Sequence, residues 1–119
     1  MNSLGFLIII AIISLAFIVS VVPDFFPPVE NEDTLLQQAE NHKNQAQIYE
    51  KQARELTKNG QYKEAIKKFA LSAEEYHEAA VNYGKMHDFL NAAKFHGRSS
   101  LAYEEAHLIQ SESHDFFAP

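Results

Sequence analysis

Six histidines in a chain of 119 residues are the side chains best suited to chemistry, and three of them fall on positions that helical geometry brings to one level. If the chain folds back near Gly60 and again near His87, reflecting His42 about the first turn lands beside His77. Reflecting His77 about the second lands beside His96. Three imidazoles contributed by three helices, with Glu74 or Glu78 close by, form a donor set suited to zinc or copper. Glu74 with His77, and Glu104 with His107, are also E-x-x-H pairs at helical spacing, as used on two of the four helices of di-iron bundles. A fourth helix and two further glutamates have no source here. No Ser-His-Asp arrangement, glycine-rich phosphate loop or dinucleotide fingerprint occurs, which points away from catalysis.

Two other groups of residues suit recognition. Lys58, Lys63, Lys67 and Lys68 gather around Gly60 and form a basic tip able to meet an acidic partner. At the far end, Phe116 and Phe117 place two aromatics in a short tail, residues 113–119, and such rings call for a surface that accepts them. The net charge of −6 argues against nucleic acid, whose recognition needs an excess of basic residues along one face. With no cysteine there is no disulfide frame and no thiol nucleophile.

The elements that position these residues are helical. From Leu4 to Val22 the chain runs for nineteen residues without a charged side chain. At 1.5 Å per residue that is about 28 Å of helix, close to the hydrocarbon thickness of a bilayer. The run lacks a preceding Lys or Arg and an A-x-A site, so residues 1–22 read as a retained transmembrane anchor and not as a cleaved leader. Residues 23–33 are a Pro-rich acidic linker, and the first basic side chain after the anchor is Lys43. That absence of nearby Lys and Arg favours an inside N-terminus with the following domain exported.

Thr34 and Gln37 form a capping-box pattern that predicts a helix start near residue 34. Leu35, Ala39, His42, Ala46, Tyr49, Ala53 and Leu56 then step by four and three along one face, and Asn59-Gly60 closes the helix. A second helix carries Ile66, Phe69, Ala73, Tyr76, Ala80 and Tyr83 and stops near Met86-His87-Asp88, where Asp88 supplies the next N-cap. A third helix is expected on Phe89, Ala93, His96, Ser100, Tyr103 and His107, ending by residue 112. Sliding the chain by 27 residues pairs Tyr49 with Tyr76, Tyr76 with Tyr103, Ala53 with Ala80, Ala65 with Ala92 and Ser72 with Ser99. The pairing predicts a duplicated unit.

Around Asn59-Gly60-Gln61-Tyr62-Lys63-Glu64-Ala65-Ile66-Lys67-Lys68-Phe69 the chain resembles the central turn of a tetratricopeptide repeat, with Tyr49 and Ala53 at that repeat's large and small packing positions. The likeness covers residues 49–76. It weakens beyond, where His87 stands in place of the turn glycine and His96 in place of the packing aromatic. The stretch is also similar to a microtubule-interacting-and-trafficking three-helix domain. Both resemblances imply recognition of a protein or peptide. The expected fold is all-α: a transmembrane helix followed by an antiparallel three-helix domain, residues 34–112, of about one and a half repeats. Solenoids of this kind need about three repeats to cover their own cores, so the open faces call for a partner.

The expected function is a non-catalytic accessory subunit docked on a multi-subunit membrane complex, with self-association as a further way to cover the open faces. Alternatives are a membrane-tethered peptide-binding adaptor and a metal-handling subunit beside a metalloenzyme such as a copper ammonia or methane monooxygenase.

Overall fold

The computed structural model describes the backbone of residues 31–117 and the side chains as far as Ser113. The predicted anchor and most of the linker lie outside the described residues. Among those described, no helix is long and apolar enough to cross a membrane.

Three helices follow one another: α1 (Glu32–Lys58), α2 (Tyr62–Lys85) and α3 (Phe89–Phe117). The start of α1 falls two residues before the predicted one. Asn31, in the left-handed conformation with φ 53°, precedes it without a side-chain cap, and its carbonyl accepts from the Leu35 amide at 3.0 Å. Thr34 is therefore inside the first turn. Glu32 and Asp33 remain at the positive end of the helix dipole, where carboxylates are favoured.

The two interhelical turns are the same structure 27 residues apart. At the first, the amides of Asn59, Gly60 and Gln61 donate to the carbonyls of Glu55, Thr57 and Leu56. At the second, Met86, His87 and Asp88 donate to Asn82, Gly84 and Tyr83. The left-handed residue that reverses the chain is Gly60 (φ 75°) in one turn and His87 (φ 61°) in the other. Asp88 then caps α3, its carboxylate accepting from the Asn91 amide at 3.2 Å, as the sequence predicts. Turns this short make neighbouring helices antiparallel, and α2 packs along both α1 and α3.

Alanine controls the spacing between helices. Ala39, Ala46 and Ala53 of α1 are fully buried at heptad intervals, while Leu35, His42, Tyr49 and Leu56 of the predicted stripe are half-buried around them. The predicted stripe of α2 is buried, with Ile66 half-exposed, but α2 also buries Ala65, Ser72, Ala79 and Asn82 because it has a neighbour on each side. Close approach lets two buried serines reach across. Ser72 Oγ donates to the Ala46 carbonyl and Ser99 Oγ to the Ala73 carbonyl, each at 2.8 Å and again 27 residues apart.

In α3 the inward face differs from the predicted one by a single residue. Ala92, Phe95, Ser99, Ala102, Ala106 and Ile109 are buried, whereas Phe89, Ala93, His96, Ser100, Tyr103 and His107 are exposed. The predicted set is the copy, 27 residues on, of the α2 face that receives α3. On α3 no fourth helix follows among the described residues, so that face meets solvent. The helix also continues beyond residue 112 to Phe117, because Ser111-Glu112-Ser113 holds no glycine or proline to stop it.

Candidate functional site

The three histidines singled out from the sequence do not converge. Imidazole Nδ1 of His42 lies 2.6 Å from Glu75 Oε2, a cross-helix contact between α1 and α2. His77 and His96 do meet, with ring centroids 5.2 Å apart and planes tilted by 55°, on the exposed side of the α2–α3 junction. The one-residue shift of α3 explains this, since it turns His96 off the inward face. Among the described residues no group of three His, Cys, Asp or Glu is placed to hold a metal ion. The zinc or copper set His42, His77 and His96 is thus reduced to a pair and a separate ion-pairing residue. Beside the pair, Glu74, Glu75, Glu78, Ser99 and Tyr103 line an open acidic cleft of about 450 Å³.

Polar chemistry concentrates instead between α1 and α2. The Tyr76 hydroxyl donates to Glu50 Oε2 at 2.8 Å, and Arg54 donates to Oε1 of the same carboxylate at 2.8 Å. Farther along, the Tyr83 hydroxyl donates to Glu40 Oε1 at 2.7 Å, with Lys43 on the other oxygen. Burial, reinforced by the neighbouring carboxylates, pushes both tyrosines up to about 12. For Glu50, burial works against the charge, but hydrogen bonds from Arg54 and Tyr76 outweigh it and hold the carboxyl below its ordinary range. For Glu40, the Lys43 ammonium and then the Tyr83 hydroxyl have the same effect. These groups are saturated by one another, so they clamp helices. The sequence signal for the clamp is two tyrosines opposite glutamates in an antiparallel hairpin, which helical periodicity alone reads as packing.

The basic tip is divided in the same way. Lys68 places its ammonium 5.2 Å from the Tyr49 ring centroid, and Lys67 lies 3.4 Å from Glu64. Lys63 faces an open cleft of about 440 Å³ whose walls include Tyr62, Ile66 and Ser113. An adjoining recess of about 170 Å³ is bounded by Thr57, Tyr62, Ile109 and Glu112. Because α3 runs antiparallel to α2, its last turns, with Phe116 and Phe117 in the final one, arrive at the end of the bundle that holds these lysines. The two sets of partner-binding residues named from the sequence therefore share one end.

Exposed apolar residues complete the inventory. Leu90 is 84% exposed and Leu101 59%, with Leu108 nearly half exposed, all on the side of α3 turned away from α2. No protein-family model, curated protein or solved structure matches the chain.

Proposed function

We propose that the chain is a membrane-anchored, non-catalytic accessory subunit whose helical domain docks on a multi-subunit membrane complex. The observation that carries this reading is the outward side of α3, where no further helix packs among the described residues and Leu90, Leu101 and Leu108 are left exposed. A tetratricopeptide-like unit of this length covers its core only on one side of each outer helix. The apolar run from Leu4 to Val22 supplies the anchor, and the shared end of Lys63 and the Phe116-Phe117 turn supplies a contact surface. The absence of Lys and Arg next to the anchor supports an extracytoplasmic side for the domain.

The cleft beside Lys63 supports a second reading, a tethered adaptor that binds an acidic peptide segment between Tyr62 and Ile109. The two readings separate on solubilising the native membrane. A subunit co-purifies in fixed stoichiometry with integral membrane proteins, whereas an adaptor loses its ligand on dilution. In the first case Phe116→Ala with Phe117→Ala weakens the assembly by about 2–4 kcal/mol. Co-purification of that double variant at full yield under stringent washing removes the aromatic turn from the interface.

A further inference from the structure

The outward face of α3 has the pattern of an antiparallel helix pair with itself. Leu90, Gly97 and Glu104 recur every seven residues, and Lys94, Leu101 and Leu108 do the same four residues later, which are the d and a positions of a heptad seam. All six are exposed, and they lie on the side opposite Ala92, Phe95, Ser99 and Ala106. When two copies run antiparallel about a two-fold axis beside residue 99, each a position meets a d position of the other helix. Leu108 then meets Leu90, Leu101 meets Gly97, and Lys94 meets Glu104, each pair occurring twice by symmetry.

Every pairing is complementary in size or in charge. The two leucine layers close the ends. In the middle a large side chain faces a glycine, which lets the helices approach. A Cβ added at Gly97 would touch nothing within 4 Å in its own chain, so the monomer fold gives no packing reason for glycine at this position. Glu104, between the central and the end layer of the stripe, disfavours burial in lipid, where an unpaired carboxylate is costly, and the mirrored Lys94 supplies its cation.

We infer that this face binds a second copy of the chain as an antiparallel α3–α3 pair. The inference assigns the outward face of α3, on which the membrane-complex reading also draws, to a second copy, and it needs neither the anchor nor a foreign partner. The chain has no native cysteine, so single cysteines report the pairing cleanly in the full-length protein. Leu90→Cys and Leu108→Cys chains, co-expressed and oxidised in detergent micelles, are expected to form a mixed disulfide dimer. Each alone cross-links on the order of tenfold less, because in the antiparallel arrangement like residues sit at opposite ends. Lys94→Glu and Glu104→Lys each weaken dimerisation on the order of tenfold, and combining them in one chain restores it. All four positions are exposed, so circular dichroism checks that the helices persist. Preferential cross-linking of Leu90→Cys to itself would overturn the antiparallel register. A monomer by sedimentation, with no cross-link in any combination, would overturn the pairing altogether.

Discussion

The α1–α2 and α2–α3 hairpins share one backbone geometry but are fastened by different chemistry. Between α1 and α2 the fasteners are polar: Tyr76 with Glu50, Tyr83 with Glu40, and His42 with Glu75. Between α2 and α3 they are mainly aromatic, with Phe95 stacked against Tyr76 at 6.1 Å and against Tyr83 at 5.5 Å, both within 13° of parallel. The same two tyrosines serve both junctions, offering a hydroxyl to one neighbour and a ring face to the other. Adding 27 to Glu50 and Tyr76 gives His77 and Tyr103, which are exposed. The two hairpins thus share their turns and serine contacts, while the tyrosine–glutamate clamp occurs only in the first.

The largest expected effect comes from removing the aromatic fastener. Phe95→Ala should cost about 3–5 kcal/mol and release α3 first, because the ring packs against both tyrosines. Hydrogen exchange checks this: amides of α3 lose protection before those of α1. Simultaneous loss in all three helices would show that the two hairpins form one cooperative unit.

A smaller, pH-dependent effect should belong to the first hairpin. Tyr76 and Tyr83 titrate near 10 when unfolded and near 12 when folded. Their contribution is therefore complete below about pH 10 and is lost as the pH rises towards about 12. Glu40 and Glu50, held below the ordinary value, contribute fully above it and lose that contribution as acid protonates them. Melting temperature should fall on both sides of a neutral plateau. Tyr76→Phe with Tyr83→Phe should flatten the alkaline limb while keeping the ring stacks, and an unchanged limb would exclude the clamp as its source.

The smallest effect sharpens the shared part. Ser72→Ala and Ser99→Ala each remove one buried hydrogen bond, and each should cost about 1 kcal/mol in chemical denaturation. If the hairpins are equivalent here, the two losses agree to within about 0.5 kcal/mol.

Most of this architecture was legible in the sequence. Ala39, Ala46 and Ala53 marked one face of α1, Gly60 and His87 marked the turns, and Ser72 with Ser99 was among the pairs of the 27-residue offset, though their buried hydrogen bonds were not foreseen. The inward face of α3 was not legible from apolar periodicity, because Leu90, Leu101 and Leu108 put apolar side chains on its outer side as well. The 27-residue pairing of Ala65 with Ala92 held the correct register, but the expected stripe followed the other face of α2. The histidine cluster failed for the same reason, since one residue of rotation carries His96 through about 100°. The helix end beyond residue 112 was missed because aromatic residues near a chain end suggested a tail where nothing in the sequence breaks a helix.

An odd number of antiparallel helices has a mechanical consequence. The chain enters the domain at Glu32 and leaves it at Phe117, at opposite ends of a bundle roughly 40 Å long. A pull applied between those two points acts along the helix axes and slides each helix lengthwise past its neighbour. In that shearing geometry the serine, tyrosine and phenylalanine contacts bear load together instead of opening one after another. A chain reversal with two helices would place both attachment points at one end and peel like a zipper. The third helix therefore makes a pull between Glu32 and Phe117 act in shear.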